Sequence, residues 1–326
     1  MINIALIGCG KIGSRHLQSL VKLNYKTNIY LVDPKSESIN VSLNLIENEL
    51  EQNSKISIKP CSKLDEIPTG LDFAIIASDS KPRFEIFKSL MKTKAPKRLI
   101  LEKLLFSKEE EFSEALKLYK KEDVKIWVNQ WMSAEPSFRD LCNFFNQDER
   151  IEISISGDNW GLCCNSVHYL ELFDFLCHKR DLKIQKYDFE KVIFSKRKGY
   201  LELNGKIIVS SSNGSKLFLT SNDAGKLEGE EILILITTPN AKAKCVFKMD
   251  SLDCKLEVND KKINRKYDLF LQSNFTHRII EEILETGSCK LPYLDRAIYH
   301  HELFYPLFRN FFMEKGIDLS EGIPIT

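Results

Sequence analysis

The sequence predicts an α/β chain in two parts: a doubly wound parallel sheet first, then an α+β domain with an open, mainly antiparallel sheet. Three observations carry this. Up to about Gln130, short apolar and β-branched runs alternate with longer amphipathic stretches. Gly8, Gly10 and Gly13 stand between the first such run and the first amphipathic stretch. From Ile151 onward, period-two patterns broken by Asn-Gly dipeptides take over. Strand–helix alternation implies a parallel sheet covered on both faces by helices. Asn-Gly between alternating runs is a signal for tight hairpins.

The parallel strands are expected at Ile2–Ile7, Thr27–Val32, Ile56–Ile58, Phe73–Ala77, Leu99–Leu101 and Ile126–Val128. Helical spacing joins Ile12, Leu17 and Leu20, then Phe84, Phe87 and Leu90, then Phe112, Leu116 and Tyr119. Residues 1–130 and 131–326 are therefore expected to form separate domains. In the second, a strand after Ile151 leads to a helix around Asn165–Cys177. Hairpins are expected at Asn204-Gly205, between Tyr200–Leu203 and Lys206–Val209, and at Asn213-Gly214, before Lys216–Thr220. Glu231–Thr237, Lys244–Lys248 and Lys255–Val258 continue the sheet, and Phe275–Leu284 and Leu294–Phe312 read as helices. An open sheet of this kind covers one face with its own helices and leaves another, so a homo-oligomer, dimer or tetramer, is expected.

The composition excludes several classes. Lys plus Arg, 47, nearly cancels Asp plus Glu, 46, so no global field favours a nucleic-acid backbone or a membrane surface. No apolar run approaches the roughly 20 residues of a spanning helix. Met1 to Leu6 already alternates as a strand, without a basic and then apolar leader, so a cytoplasmic location is expected. The nine cysteines, scattered from Cys9 to Cys289, are then expected as reduced thiols.

Gly8-Cys9-Gly10-Lys11-Ile12-Gly13 follows the first strand and opens the first helix, the context a dinucleotide fingerprint requires. One glycine makes the turn, a second lets backbone approach a pyrophosphate, and a third permits close helix–strand packing. The diphosphate then rests on the helix N-terminus. Asp33, 20 residues beyond Gly13, ends the second strand, where a carboxylate accepts both ribose hydroxyls and repels a 2′-phosphate. NAD is the expected cofactor and NADP the alternative, because Lys35 lies nearby and Asp33-Pro34 also reads as a turn former. The first domain is thus expected to be a Rossmann domain.

With the fingerprint extended to Gly8–His16 (GCGKIGSRH), the chain resembles the glucose–fructose oxidoreductase/inositol dehydrogenase family, often written Gfo/Idh/MocA. Phe73–Ser78 resembles the family's fourth strand and the loop after it, and Glu102-Lys103 falls where the family has Glu-Lys-Pro, with Leu104 in place of the proline. Val128-Asn129 resembles the end of the sixth strand, and Leu291-Pro292 the closing segment. His168, followed by Glu171, falls at the family's catalytic histidine. The resemblance implies cofactor contacts from Gly8, Cys9, Gly10, Lys11, Ile12, Gly13, Asp33, Ala77, Ser78, Glu102 and Lys103. It implies Lys103 and His168 as catalytic groups, and Lys103, Asn129, Asn165 and His168 as substrate contacts. Residues 131–326 become the substrate-binding and oligomerisation domain.

The implied reaction is hydride transfer between nicotinamide and a secondary alcohol or ketone of a sugar, cyclitol or nucleotide sugar. Asn159 through His168 looks closest to members associated with bacterial surface-sugar synthesis. Oxidising an alcohol needs a base of near-neutral pKa, for which His168 is the candidate, and an electrophile for the developing alkoxide, for which Lys103 is. One departure stands out: many family dehydrogenases carry Asp four residues before the histidine, and here Cys164 occupies that position, with Asn165, Glu171 or Asp174 as substitute polar partners. This keeps a second reading open, a non-catalytic dinucleotide-sensing regulatory protein of the same fold. Cys163, Cys164, His168, Cys177 and His178 fit no closed zinc spacing, and no metal is expected.

Overall fold

In the computed structural model, residues 1–121, 123–146, 148–178, 181–223 and 231–326 are described. The chain divides into two units, Met1–Asn129 with Phe270–Ile298, and Gln130–Leu269 with Tyr299–Thr326. The first holds strands β1 (Ile2–Ile7), β2 (Thr27–Val32), β3 (Ile56–Cys61), β4 (Phe73–Ile76), β5 (Arg98–Leu101) and β6 (Lys125–Val128). They form a parallel sheet in the order β3-β2-β1-β4-β5-β6. The order reverses between β1 and β4, and ligands of open α/β sheets bind at such a point, beyond the carboxyl ends of the strands. Central strands buried on both faces need continuous apolar runs, and Phe73, Ala74, Ile75 and Ile76 on β4 are all fully buried.

Helices α1 (Lys11–Leu20), α2 (Ser36–Asn44), α3 (Glu47–Gln52), α4 (Ser80–Thr93) and α5 (Glu109–Lys121) connect these strands. The sequence of α5 suits its dipole, with Glu109, Glu110 and Glu111 in the first turn and Lys120 and Lys121 in the last. The segment Phe270–Ile298 packs on this same unit. Pro292 O accepts the Val128 amide at 3.0 Å, and the Tyr293 ring stacks on Trp127 at 5.4 Å, so the edge of β6 is covered.

The second unit begins with α6 (Pro136–Cys142), β7 (Glu152–Asp158) and α7 (Leu162–Leu176). Its other strands are β8 (Leu182–Phe194), β9 (Leu201–Ser211), β10 (Lys216–Asn222), β11 (Ile232–Thr237), β12 (Ala241–Phe247), β13 (Ser251–Val258) and β14 (Lys261–Asp268). The eight-stranded order is β14-β13-β12-β11-β7-β10-β9-β8, antiparallel except for the β7–β10 pair. Helices α8 (Thr276–Thr286), in the first unit, and α9 (Leu294–Glu314), with residues in both, close the chain. Both the parallel sheet and the open, mainly antiparallel one are as the sequence predicts. Among the described residues, no helix is long and apolar enough to cross a membrane.

Two expectations need correction. Asn204-Gly205 makes no hairpin, because both flanking runs belong to β9. Gly205 has φ +140°, and a Cβ there would meet Asp188 O at 2.3 Å. The glycine therefore lets β9 pass close to β8, where the pairing shifts register between Phe189 and Lys191, as at a bulge. Asn204 is fully buried, bonded to Asn159 at 2.8 Å and Ser221 at 3.0 Å. The cysteines are also not all reduced: Cys245 on β12 and Cys254 on β13 are directly opposite in register and form a disulfide. The Asn213-Gly214 turn joins β9 to β10 as expected.

Candidate functional site

In the first unit the glycine loop runs from the end of β1 into α1. Gly8 has φ +98°, and a Cβ on it would sit 2.7 Å from Ser78 N and 2.9 Å from Ala77 C, so the loop lies against the residues that follow β4. A Cβ on Gly13 would fall 1.8 Å from Gly8 O, which only the absence of a side chain permits. Gly10 differs: a Cβ there would meet nothing within 4 Å, although Gly10 is the N-cap of α1. Two glycines are thus required by packing, and the third faces open space at a helix N-terminus. Among the described residues no side chain caps α1 and no acid stands in its first turn. Its positive end is therefore available to an anionic group.

Asp33, half-buried at the end of β2, accepts the Cys9 amide through Oδ2 and the Lys35 amide through Oδ1, both at 2.8 Å. The carboxylate is tied to the glycine loop and also closes the Asp33-Pro34-Lys35 turn. Burial, and then the Asp33 charge, push the Cys9 thiol up to about 12. A cavity of about 410 Å³ here is lined by Cys9, Gly10, Lys11, Ser14, Arg15 and Glu37, among others. These residues fit a dinucleotide: an open N-terminal cradle for the diphosphate with a carboxylate beside it.

Beyond β5, Glu102 and Lys103 begin a turn whose Lys103–Leu104 peptide is cis. Lys103 is half-exposed, whereas Glu102 is 6% exposed. The Glu102 Oε1 atom lies 2.9 Å from His16 Nε2 on α1 and accepts the Asn129 amide. His16 Nδ1 lies 2.8 Å from Thr276 Oγ1, and Asn129 also donates to Gln272 at 2.8 Å. Burial would push the Glu102 carboxyl up. The His16 hydrogen bond and charge, the Asn129 bond and the Arg83 charge outweigh it and hold the group at about 2. Glu102 Oε1 and Asn129 Nδ2 thus take part in a buried network.

Arg83 went unnoticed in the sequence. It is 1% exposed on α4 and donates to Glu102 O at 2.8 Å, Leu105 O at 3.3 Å, and the carbonyls of Leu104 and Ser78. One guanidinium thereby stitches the ends of β4 and β5 together. The only sequence signal is an arginine beside Phe84 in an otherwise apolar helical stripe.

In the second unit, α7 carries Cys164, Asn165, His168 and Glu171. Its N-cap, Gly161, has φ +81° and no side chain, and the first-turn amides are satisfied instead by Glu202 of β9. The Glu202 oxygens accept Cys163 N at 2.7 Å and Cys164 N at 3.1 Å. Asn165 Nδ2 donates to Trp160 O at 2.7 Å. His168, 7% exposed, lies one turn beyond Cys164 on the same helical face, its ring 5.8 Å from that of Trp131. Glu171 accepts the Ser133 amide at 3.0 Å and the Ser133 hydroxyl. Asp174 pairs with His300 Nε2 at 3.0 Å, and His300 Nδ1 lies 3.0 Å from Gln130 Oε1. Lys103 belongs to the first unit and His168 to the second.

A cavity of about 440 Å³ in the second unit is lined by Asn159, Trp160, Cys164, Asn165, Lys191 and Glu202, among others. Sequence reasoning missed Glu202, because its partners lie 38 and 39 residues away. Among the described residues no group of three or more His, Cys, Asp or Glu is arranged to hold a metal ion.

Residues 2–130 match the GFO_IDH_MocA family model, described as an oxidoreductase family with an NAD-binding Rossmann fold. No curated protein matches the sequence. Solved structures match over nearly the whole chain. An oxidoreductase from Agrobacterium radiobacter, in complex with NAD+, L-tartaric acid and magnesium, is 13% identical with TM-score 0.73, covering 93% of this chain and 94% of that one. KijD10, a 3-ketoreductase from Actinomadura kijaniata in complex with NADP and TDP-benzene, is 11% identical with TM-score 0.66, covering 92% and 94%. The transcriptional regulator Gal80p from Kluyveromyces lactis is 13% identical with TM-score 0.72, covering 96% and 93%. At these identities the likeness is one of fold.

Proposed function

We propose, for a chain whose residues 2–130 belong to the GFO_IDH_MocA oxidoreductase family, an NAD(P)-dependent dehydrogenase or reductase acting on a secondary alcohol or ketone. Its substrate is a sugar, cyclitol or nucleotide sugar. The observation that carries this reading is the glycine loop: Gly10 open at the N-terminus of α1, Gly8 and Gly13 closed to any side chain, and Asp33 bonded to the same loop. A family of this kind supplies hydride chemistry through its nicotinamide, and the chain supplies binding, orientation and proton transfer.

The first-turn amides of α1 hold the diphosphate, and Asp33 accepts the ribose hydroxyls, which favours NAD. His168 is the proton-transfer group, taking the hydroxyl proton during oxidation and returning it during reduction. Lys103, a half-exposed residue just beyond the carboxyl end of β5, donates to the substrate oxygen and stabilises developing alkoxide charge. Asn165, in the wall of the second unit's cavity, is a substrate contact. In the eight-stranded sheet Leu233, Leu235 and Val246 are half-exposed on one face, while Ile234, Ile236 and Cys245 of the other are buried. A homo-oligomer that covers the half-exposed face is expected, and light scattering that gives a monomer mass at micromolar concentration rejects it.

The decisive test is turnover of a panel of sugars, cyclitols and nucleotide sugars with NAD and NADP, on the wild type and on His168→Ala and Lys103→Ala. His168→Ala should lower kcat by about a hundredfold or more and leave NAD affinity within about twofold, and Lys103→Ala should likewise depress kcat. A His168→Ala enzyme with wild-type kcat across the pH range removes the proton-transfer assignment. Tight NAD binding with no turnover of any substrate moves the protein to the regulatory reading.

A further inference from the structure

From Leu101 to Ser107 every residue is buried except Lys103, which is half-exposed. The turn after β5 thus delivers a single side chain to the carboxyl ends of the parallel strands. The β4–β5 ladder does not hold that turn: its register ends at Ile76 and Leu101, followed by one bond from Glu102 N to Ile76 O at 3.1 Å. Arg83 takes over where the ladder stops. Its Nη1 donates to Glu102 O at 2.8 Å, to Leu105 O at 3.3 Å and to Leu104 O, and its Nη2 donates to Ser78 O. One nitrogen therefore holds the carbonyls on both sides of Lys103. The other ties them to Ser78, against whose backbone Gly8 of the glycine loop lies.

The placement is unfavourable for a cation on general grounds. Arg83 is 1% exposed and stands in the first turn of α4, where burial and the helix dipole both disfavour positive charge. Four carbonyls offset this, together with the buried Glu102 carboxylate, whose pKa the Arg83 charge helps to lower. A planar guanidinium has two arms at a fixed angle, so it sets the spacing between the backbones at Ser78 and at Lys103. An ammonium is a point charge and cannot.

Resting on the dehydrogenase reading, we infer that Arg83 is a positioning residue: it fixes Lys103 relative to the loop that receives the cofactor, before any cofactor binds. Arg83 acts through Lys103. A misplacement of about 1 Å can cost on the order of a hundredfold in rate, so loss of the guanidinium should appear in kcat and in the accessibility of Lys103 rather than in NAD affinity.

The test compares wild-type protein with Arg83→Lys, which keeps the positive charge. Each is treated with acetic anhydride, with and without saturating NAD. Mass spectrometry then gives the acetylation rate of Lys103 relative to exposed Lys26, at the amino end of β2 and so at the opposite edge of the sheet. In wild-type protein NAD should slow Lys103 by about tenfold, because a cofactor pocket removes most of its lining from solvent. In Arg83→Lys the slowing should fall to about twofold or less, with NAD affinity within about threefold. On any substrate that is turned over, the variant should lose about tenfold or more in kcat with KM within about threefold.

The inference is overturned if NAD leaves Lys103 acetylation unchanged in wild-type protein. It is also overturned if Arg83→Lys keeps the wild-type protection or kcat, or if its loss is confined to NAD affinity or KM. Should Arg83→Lys fail to fold, hydrogen exchange of the wild-type Lys103–Leu105 amides decides. A turn held by Arg83 exchanges at rates within about twofold with and without NAD; slowing by about tenfold or more on adding NAD overturns the inference, because the cofactor is then what orders the turn. Protection lost in Arg83→Lys with no turnover of any substrate by wild-type protein removes the dehydrogenase reading alone. Turnover with wild-type kcat and protection in that variant removes this inference alone.

Discussion

Replacing His16 with Ala should destabilise the first unit in a way that depends on pH. His16 is 1% exposed and lies 2.9 Å from the Glu102 carboxylate, which is itself 6% exposed. Removing one member of a buried pair costs about 3–5 kcal/mol, and here the Asn129 bond and the Arg83 charge remain beside Glu102, which sets the cost at the lower end. The carboxyl's fall from the ordinary 4.5 to about 2, to which Asn129 and Arg83 also contribute, corresponds to about 3 kcal/mol for the network as a whole. For a unit of this size that is a drop in Tm of about 6–12 °C.

The pH dependence has a definite sign. In wild-type protein the Glu102 carboxyl lies below its unfolded value, so its contribution is complete above about 4.5 and disappears as pH falls toward about 2. In His16→Ala the largest influence, burial, is no longer outweighed by the two His16 contributions, so the carboxyl moves up. The variant then suffers most at neutral pH and is relieved by protonation as pH falls toward 5. Differential scanning calorimetry of both proteins between pH 5 and 8 should show the Tm gap widest at the upper end. A gap below about 2 °C at pH 7, or one that stays constant on acidification, would refute the network as a source of stability.

Three further outcomes are expected. Gly13→Ala should lose measurable NAD binding and unfold at lower temperature, since its Cβ would meet Gly8 backbone atoms at 1.8 and 2.8 Å; NAD titration with wild-type affinity contradicts this. Asp33→Ser removes the carboxylate bonded to the Cys9 amide, so NAD affinity should fall about tenfold and relative NADP use should rise. Wild-type protein that already binds NADP more tightly than NAD counts against the role given to Asp33. Cys164→Asp sets a second carboxylate in the wall beside Glu202, which raises the carboxyl pKa of the new residue. Its Tm deficit should therefore grow between pH 5 and 8, and a deficit that is flat over that range means the two groups do not interact.

Elements whose causes are local could be read from the order of residues alone. Six apolar runs of strand length, three of them followed by helical spacing, announce a parallel sheet because a strand buried on both faces must be apolar throughout. Gly8, Gly10, Gly13 and Asp33 could be read because a turn, a helix N-terminus and a strand end lie within a few dozen residues of one another. Position 164 stands out through the family resemblance alone, as a cysteine where many members carry Asp.

Features that depend on register and on pairing across the chain emerge only when the chain is folded. Asn204-Gly205 has the composition of a hairpin, yet the bulge opposite it in β8 makes it the middle of a strand. Cys245 and Cys254 become a disulfide because β12 and β13 pair in one particular register, which period-two patterning leaves undetermined. Arg83, Glu202 and Glu102 each look like surface charges when read singly. Their roles come from carbonyls, amides and an imidazole 19, 38 and 86 residues away. His16 and Thr276 meet across 260 residues, because Phe270–Ile298 packs with the parallel sheet of the first unit. A buried polar group must find a partner, but the sequence does not say which one, since folding chooses among all the donors and acceptors that the packed core brings within reach.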